Sequence, residues 1–337
     1  MNLPKLTVCI PTYNRSNCLP TALDSILEQI VPGVEIVICD NGSIDRTAQL
    51  VQEYVNKYPS ITYFRFPKNV GPDRCFLQSI EAASGEYCWF LGDDDRIEEG
   101  SIVKVLQALS TYSDLAGISV RSKTFDQQLT KQLPSPLIQP HLSSDRLYEN
   151  AQAIFQDLFT YFGYMSGQVC KRSIWKEAVA KIENIERFFN AYIILYVISK
   201  MVFLHPKWLY LHEASVHYRS ANDSFCKELG IYRRFLLDVD GYSDYTQDLF
   251  GKWHPLRLCC LNQVCKKFIS FHIRDIRIKK GVRFFSLKAF RDMCPKYWMI
   301  RTFWTQNLLW MVIPRPLLLL MRIVYRRFIK PYRRQAA

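Results

Sequence analysis

The chain has 337 residues, 49% of them hydrophobic and 22% charged, which allows one large domain or two modest ones and excludes a disordered or fibrous protein. Lysine and arginine number 44 against 31 acidic residues, a net charge of +13. From position 271 onward there are 16 basic and 2 acidic residues, so the first 270 residues are nearly neutral and the remainder is basic.

The N-terminal sequence and the cysteines predict a cytoplasmic protein. MNLPKLTVCIPTYNR lacks the charged segment, apolar segment and cleavage site of a secretory signal. The eleven cysteines form no CxxC pair and no Cys/His spacing typical of zinc ligands. Several, such as Cys9, Cys39 and Cys88, lie in apolar runs. We therefore expect buried, reduced thiols, with neither a disulfide framework nor structural zinc.

Short apolar runs alternate with amphipathic patterns in the first part of the chain. The runs LTVCI, EIVICD, ITYFRF and EYCWFL predict strands, and the segments between them predict helices over 17–30, 43–58 and 71–84. This alternation predicts βαβ units and an α/β sandwich with a mostly parallel sheet. In such sheets ligands bind at the carboxyl ends of the strands.

Polar or turn-forming residues follow each predicted strand. The four stretches are PTYNR, DNGS, PKNVGPDR and GDDD. Taken singly, each suits a turn or a helix N-cap. Because all four should lie on one edge of the sheet, their joint occurrence favours a binding site there.

The most informative stretch is FLGDDDRI, in which three aspartates directly follow an apolar strand. Carboxylates this close raise one another's pKa unless a cation or several donors lie between them. An aspartate that caps a helix beginning near Glu98 would explain one of them, but not three. Carboxylates suit hard divalent ions, so the triplet predicts a metal site.

The second half of the chain is less regular. We expect a strand over 115–120, a surface loop near an acceptor over 126–145, and helical and strand-like segments after it. The segment EASVHYRSANDS is either a strand with alternating surface residues or a loop over a bound diphosphate. In the second case a neutral His217 is a candidate metal ligand and Arg219 suits a phosphate.

The C-terminal part mixes basic residues with aromatic side chains and leucine. Arg315, between Pro314 and Pro316, interrupts the longest apolar run and disfavours a transmembrane helix. Basic amphipathic helices of this composition lie on anionic membranes. Nucleic-acid binding and a simple helical cap are the alternatives. The absence of a recognised nucleic-acid module argues against a nucleic-acid partner.

Together, VCIPTYNR, EIVICDNGSIDRT and NVGPDRCFLQSIEAASGEYCWFLGDDD resemble the family 2 glycosyltransferases with the GT-A fold, over about the first 110 residues. The resemblance implies a Rossmann-like α/β/α sandwich, a nucleotide-sugar donor, Mg²⁺ or Mn²⁺ on the diphosphate, and inversion by direct displacement. The implied donor-binding residues are Pro11, Thr12, Tyr13, Arg15, Asp40, Asn69, Gly71, Arg74, Asp93 and Arg219. The implied metal ligands are Asp94, Asp95 and His217, and the first two are also the implied catalytic residues.

The chain departs from the family pattern at two places. Gly92 stands where the family commonly has its first aspartate, which makes Asp94 the best-aligned ligand and Asp93 a candidate for the missing contact. Asp95 is either a ligand or the organiser of the next helix. The acidic pair that ends the family's acceptor region is also absent. Glu183 and Glu186 are candidate general bases by proximity in sequence only, and solvated helix charges are the alternative.

We therefore predict a GT-A domain over 1–225, with a nucleotide-sugar half (1–110) and an acceptor half (111–225), followed by a helical, membrane-associating region over 226–337. The pattern is most similar to the abequosyltransferase-like O-antigen enzymes. It predicts transfer to a lipid-linked oligosaccharide at the cytoplasmic face of the inner membrane, in O-antigen or capsule biosynthesis. An inactive membrane scaffold is one alternative. A nucleotidyltransferase is the other, although PTYNR lacks the glycines of a triphosphate loop.

Overall fold

The computed structural model describes residues 5–134, 142–222, 229–280 and 285–324. It divides into two compact units, Met1–Asp223 and Ser224–Ala337. The ten cysteines in the described ranges are free thiols, and most are buried, as expected from the sequence. The predicted surface loop is described only in part, because 135–141 lie outside these ranges.

The first unit contains one mixed sheet flanked by helices. Its strands are β1 (Leu6–Thr12), β2 (Val34–Asp40), β3 (Ile61–Arg65), β4 (Tyr87–Phe90), β5 (Arg96–Ile97), β6 (Gly117–Phe125), β7 (Arg146–Tyr148), β8 (Gln168–Lys171) and β9 (Trp208–Arg219). Its α-helices are α1 (Leu19–Leu27), α2 (Thr47–Lys57), α3 (Pro72–Glu81), α4 (Ser101–Thr111), α5 (Ala151–Leu158), α6 (Arg172–Ala180) and α7 (Ile193–Leu204). Short 3₁₀ helices lie at Phe159–Tyr161, Met165–Gly167 and Ile185–Phe188.

The strand order is β3-β2-β1-β4-β8-β6-β9-β5, with β7 paired to β9. The pairs that link β1 to β2, β2 to β3 and β1 to β4 are parallel, as the βαβ pattern predicts, so the carboxyl ends of these strands share one edge. Beyond β4 the sheet is mixed, because β8 runs antiparallel to both β4 and β6. The predicted α/β fold is confirmed, and its parallel character is strongest in the first four strands.

The core of the first unit follows from the apolar runs. Every residue of β1 and β4 is buried, as expected for strands with helices on both faces. The buried face of α1 includes Leu19, Leu23 and Ile26. Burial of each such side chain contributes about 1.5–3 kcal/mol, which makes this helix a stable support for the loop before it.

The structure differs from the sequence prediction at the start of one helix and in the burial of one strand. The helix expected near Glu98 begins at Ser101, after the short strand β5, and its N-cap is Gly100 without a side-chain cap, so no aspartate of the triplet caps it. The segment that contains His217 and Arg219 is the end of strand β9, and both side chains are buried. The strand alternative therefore holds, but these residues do not lie at the surface.

The second unit is helical. Its α-helices are α8 (Ile231–Phe250), α9 (Pro255–Val264), α10 (Ser270–Asp275), α11 (Phe285–Tyr297), α12 (Leu308–Val312) and α13 (Arg315–Val324). π-helical turns lie at Cys265–Ile269, Ile276–Lys280 and Phe303–Asn307. Within the described ranges, no helix is both long enough and apolar enough to cross a membrane.

Candidate active site

The loops after β1 and β2 are tied together by side-chain hydrogen bonds. Asn14 has a left-handed backbone, φ +54°, and its Oδ1 accepts from the N–H of Ile44 at 2.9 Å. The N–H of Asn14 donates to Ser43 Oγ at 2.9 Å, and that of Arg15 donates to Thr47 Oγ1 at 2.9 Å. Asparagine tolerates this conformation better than most residues. These bonds fix the backbone from which Arg15 projects.

The loops after β2 and β3 are joined in the same way. Asn69 Oδ1 accepts from Asn41 Nδ2 at 3.0 Å and from the N–H of Gly71 at 2.9 Å. A side chain at Gly42, which has φ +74°, would bring its Cβ within 2.4 Å of the Lys68 carbonyl carbon, so glycine is required there. Asn69 and Gly71 thus shape the loops at the carboxyl ends of β2 and β3. Their contact with a nucleotide sugar stays a prediction.

Asp40 ends β2 with a carboxylate that protein groups fully enclose. Its Oδ1 accepts from the N–H of Ser43 at 2.8 Å, and its Oδ2 accepts from the Tyr63 hydroxyl at 2.8 Å. Arg65 Nε lies 3.5 Å from the same Oδ2. Burial and the bond to Asp40 raise the pKa of Tyr63. Binding of a base by Asp40 stays a prediction, and it would require one of these bonds to be exchanged.

Asp93 faces the end of β1, where Thr12, Tyr13 and Arg15 lie. Its Oδ1 is 3.4 Å from Arg15 Nε, and both side chains are mostly buried. Burial, followed by repulsion from Asp94, raises the pKa of Asp93 above its ordinary value, while Arg15 opposes the shift. The Thr12 hydroxyl lies beside this carboxylate but outside hydrogen-bond geometry, and it has no partner within the described residues. A buried hydroxyl of this kind suits the predicted contact with a ligand.

Pro11 and Tyr13 flank Thr12. Pro11 is buried in β1 opposite Cys39 of β2, and Tyr13 is half-buried in the loop after the strand. Both therefore lie at the predicted edge, and their role in donor binding stays a prediction.

Asp94 is held by residues at the end of β9 and in the loop that follows. Its Oδ2 accepts from Asn222 Nδ2 at 2.6 Å, and its backbone carbonyl accepts from Arg219 Nε at 2.7 Å. Arg219 Nη1 also donates to the Gln127 carbonyl at 2.5 Å. The guanidinium thus orients two loops. The predicted phosphate contact of Arg219 would use its remaining N–H groups, because two donors already bind backbone carbonyls.

Asp95 is buried and accepts hydrogen bonds at both carboxylate oxygens. Ser166 Oγ and the Tyr164 hydroxyl donate to Oδ2 at 2.6 and 2.8 Å, and the N–H of Arg219 donates to Oδ1 at 3.0 Å. Burial and the nearby Asp94 raise the pKa of Asp95, while these bonds lower it. Asp95 therefore organises the loop. Its predicted role as a ligand and catalytic residue would require one of these bonds to be exchanged.

The same network accounts for Gly92. Its N–H donates to Ser166 Oγ at 2.9 Å, and a Cβ at this position would lie 3.2 Å from Ser166 Oγ and 3.3 Å from Asp95 Oδ2. An aspartate here would place a further carboxylate against Asp95. Glycine avoids that repulsion and leaves the triplet itself as the acidic group of the site.

His217, predicted as a metal ligand, has charged neighbours on both sides. Its Nδ1 lies 3.0 Å from Arg96 Nη2, and its Nε2 lies 3.5 Å from Glu98 Oε1. Because arginine can only donate, Nδ1 is the acceptor and the imidazole proton is on Nε2. Burial, followed by the charge of Arg96, lowers the pKa of His217. Metal binding by His217 stays a prediction that requires it to release Arg96.

Two residues predicted for different roles contact each other. Arg74 Nη2, predicted to approach the donor, lies 2.7 Å from Glu186 Oε1, a candidate base, and its guanidinium lies 5.2 Å from the Phe189 ring centroid. Glu186 is exposed, as is Glu183, the other candidate. The structure thus distinguishes the two glutamates, because Glu186 is tied to the first turn of α3.

Asp93 and Asp94 provide oxygen ligands of the kind that Mg²⁺ and Mn²⁺ prefer. Within the described ranges, no three His, Cys, Asp or Glu side chains form a complete metal site. Two carboxylates still suit a divalent ion that completes its coordination with phosphate oxygens and water. Repulsion from Asp94, which contributes to the raised pKa of Asp93, is the kind that a cation relieves. The residues present therefore fit the implied metal.

The loops of this edge lie in a stretch that matches a known family. Residues 7–173 match the family described as glycosyl transferase family 2. Residues 7–173 therefore belong to this family. A chain with this domain and with relatives of this kind is a glycosyltransferase, which favours the transferase prediction over a nucleotidyltransferase or an inactive scaffold.

Two relatives show how far the similarity extends. Abequosyltransferase RfbV of Salmonella typhimurium is 29% identical over 279 residues, which cover 78% of this chain and 80% of that protein. The GalNAc(5)-diNAcBac-PP-undecaprenol beta-1,3-glucosyltransferase of Campylobacter jejuni is 35% identical over 106 residues, 31% of this chain and 34% of that protein. The second similarity is thus confined to about a third of either protein.

Solved structures of GT-A glycosyltransferases share the fold. S. aureus TarS 1-349 in complex with UDP has a TM-score of 0.54 at 17% identity, covering 84% of this chain and 75% of that chain. The same fragment in complex with UDP-GlcNAc has a TM-score of 0.54 at 14% identity, covering 90% and 92%. The predicted GT-A fold is confirmed.

Several residues of this edge carried no clear signal in the sequence. Asn14, Tyr164, Ser166 and Asn222 each bind a loop of the site, and only Asn14 lies within a recognisable motif. The other three are ordinary polar residues in sequence, and their partners lie 69 to 128 positions away.

Proposed function

We propose that the protein is an inverting, metal-dependent glycosyltransferase that moves a sugar from a nucleotide-sugar donor to a lipid-linked oligosaccharide in bacterial O-antigen or capsule biosynthesis. The observation that best supports this proposal is the acidic loop after β4. Asn222 and Arg219 orient Asp94 in this loop. The neighbouring Asp93 lies beside Arg15. The name of the Campylobacter relative supports a lipid-linked oligosaccharide as acceptor, and the name of the Salmonella relative supports the transfer of a sugar.

In this proposal each residue has a separate role. Asp94, assisted by Asp93, would hold Mg²⁺ or Mn²⁺, which supplies positive charge where the diphosphate leaves. Arg15 lies 3.4 Å from Asp93 and adds a fixed positive charge to the same edge. Asp95 keeps the loop in place through Ser166 and Tyr164. Direct displacement places the attacking hydroxyl opposite the leaving diphosphate, so the anomeric configuration inverts.

The attacking hydroxyl requires a general base within hydrogen-bond reach. We propose Glu186, because its carboxylate is held at the first turn of α3 by Arg74. That turn lies next to the end of β2, since Cys75 Sγ donates to the Cys39 carbonyl at 3.1 Å. Glu183 has no comparable tie to this edge among the hydrogen bonds and ion pairs of the described residues, so it serves as the matched control.

The first experiment is a thermal-shift panel of the purified protein with UDP, CDP, GDP and dTDP, each with and without Mn²⁺. A nucleotide that binds only the folded state raises Tm by mass action. We expect one nucleotide to raise Tm in a metal-dependent manner, and we expect Asp94→Ala to abolish that shift. Absence of any shift in a folded protein would contradict the proposal and favour the scaffold.

We further propose that the second unit binds the anionic cytoplasmic face of the inner membrane. Trp253, Trp298 and Trp304, here called the aromatic surface, are 59%, 46% and 45% exposed. The rings of Trp253 and Trp298 lie 5.7 Å apart, and Trp304 Nε1 donates to the Trp298 carbonyl at 2.6 Å. Lys252 Nζ lies 5.4 Å from the Trp253 ring. Exposed indoles beside lysine are typical of the interfacial zone of a bilayer.

Helix α13 supports the same partner. Leu318 is buried, whereas most of its apolar neighbours in the helix are exposed, namely Leu317, Leu319, Leu320, Met321 and Ile323. Water-soluble monomers rarely expose a continuous apolar face of this kind. As the partner of this face we propose an anionic bilayer and not a second copy of the chain, because residues from 271 onward include 16 basic and only 2 acidic ones.

A further inference from the structure

Asp73, in the first turn of α3, binds a segment more than a hundred residues away in sequence. Its Oδ2 accepts from the N–H of Ala191 at 2.8 Å, and its Oδ1 accepts from the N–H of Ile193 at 3.1 Å. The side chain is buried, with 3% of the residue exposed. Both oxygens are therefore used, and the carboxylate has no free access to a substrate.

The segment that Asp73 binds has an unfavourable backbone conformation. Ala191 has φ +70°, a left-handed value that costs free energy in any residue with a Cβ. Ile193 is the first residue of α7, and the N-cap Tyr192 provides no side-chain cap. The initial N–H groups of a helix need an acceptor, and the Asp73 carboxylate provides one from another element.

The next residue of α3 contacts the same segment. Arg74 pairs with Glu186 and lies over the ring of Phe189. Two successive residues of α3 thus hold residues 186–193, which begin with the proposed general base. The first turn of α3 is itself anchored at the end of β2 through Cys75.

We propose that Asp73 is a positioning residue for sugar transfer, which holds residues 189–193, with Ala191 in its left-handed conformation, so that Glu186 faces the loops at the carboxyl ends of β1 to β4. This inference rests on the proposed transferase function. Asp73 acts through the backbone of the segment and does not contact the reacting atoms.

The carboxylate is required in its ionised form. Burial raises the pKa of Asp73 to about 6, so the group is mostly ionised at neutral pH and can accept at both oxygens. An asparagine offers one acceptor oxygen and an NH₂ group that would oppose the second N–H. Asp73→Asn therefore removes one bond with almost no change in volume.

The test uses four variants of the full chain: Asp73→Asn, Ala191→Gly, the double variant, and Glu81→Gln as an exposed control on the same helix. Steady-state transfer and nucleotide-induced Tm shifts are measured for each. We expect Asp73→Asn to lower transfer kcat/KM by about tenfold with an unchanged nucleotide shift. Because glycine adopts φ +70° readily, the double variant should regain at least about threefold. Glu81→Gln should match the wild type.

Hydrogen exchange of the amides at 189–193 gives a readout that does not depend on activity. The proposal requires these amides to exchange faster in Asp73→Asn while the strands of the sheet keep their protection. Unchanged transfer or unchanged exchange in Asp73→Asn would overturn the inference. So would a double variant no more active than Asp73→Asn. A wild type that transfers no sugar would instead contradict the proposed function, and the exchange measurement would still decide the role of Asp73.

Discussion

The first unit, here called the sheet unit, and the second unit, here called the helical unit, differ in which side chains they expose to solvent. Among the described residues, the sheet unit exposes four large hydrophobic side chains, and the helical unit exposes thirteen. The sheet unit instead concentrates charged groups at the carboxyl ends of its strands, where Asp40 and Asp95 are buried with their partners. This difference is the basis for our proposal that sugar transfer takes place in the sheet unit and that the helical unit binds the membrane.

The largest effect should come from the acidic loop of the sheet unit. Asp94→Ala should lower sugar transfer by about a thousandfold or more, because it removes the carboxylate that we propose as the principal metal ligand. Glu99→Ala, an exposed glutamate five positions later, is the matched control and should keep wild-type transfer. Circular dichroism should show an unchanged fold in both. Wild-type turnover by Asp94→Ala would place the chemistry elsewhere.

The next largest effect should be a difference in kcat between variants of Glu186 and Glu183. Glu186→Gln should lower kcat for transfer by about a hundredfold, the usual contribution of a general base, with donor affinity preserved. Glu183→Gln should leave kcat unchanged. Steady-state kinetics at saturating donor would measure both. Equal activities in the two variants would exclude Glu186 as the base.

A smaller effect tests the helical unit. Replacing Trp253, Trp298 and Trp304 by alanine should lower binding to phosphatidylglycerol vesicles by about tenfold, because each indole loses part of its interfacial burial. Phe203→Ala, an exposed aromatic residue of the sheet unit, is the control and should bind vesicles normally. Transfer to a water-soluble acceptor should persist in the triple variant. Lipid-independent dimerisation through the aromatic surface would contradict the membrane proposal.

The smallest effect concerns stability at the end of β9. The Glu98 carboxylate lies 2.5 Å from Lys123 Nζ and accepts from Ser215 Oγ. Although burial opposes them, these bonds lower the pKa of Glu98 from 4.5 to about 2. The ionised group therefore stabilises the fold above about pH 4.5, and this contribution is lost as the pH falls towards 2.

Glu98→Gln should therefore cost about 1 kcal/mol at pH 7, a modest value because the pair is partly exposed to solvent. The difference in Tm between wild type and variant should shrink as the pH is lowered from 5 to 3. Lys104→Gln, on the neighbouring helix α4, should show no such pH dependence. A difference that stays constant with pH would indicate a packing effect.

The sequence determined the first half of the fold and the edge of the sheet at which we propose the site. Alternating apolar runs predicted β1 to β4 and the helices between them to within a few residues, because these elements depend on periodicity over short stretches. The rule that ligands bind at the carboxyl ends of parallel strands then predicted that four loops lie together at one edge of the sheet. The acidic triplet needed no structure to be recognised as unusual.

Only the tertiary structure decided what each carboxylate does. Asp93, Asp94 and Asp95 are adjacent in sequence, yet one pairs with Arg15, one with Asn222, and one with Ser166 and Tyr164. Asp73 lies in the stretch PKNVGPDR, but the sequence gave no sign of its role, because its partners lie 118 and 120 positions away. Periodicity reports which face of an element is buried. The roles of buried polar groups depend on which distant donors the fold brings to them, and no local pattern contains that information.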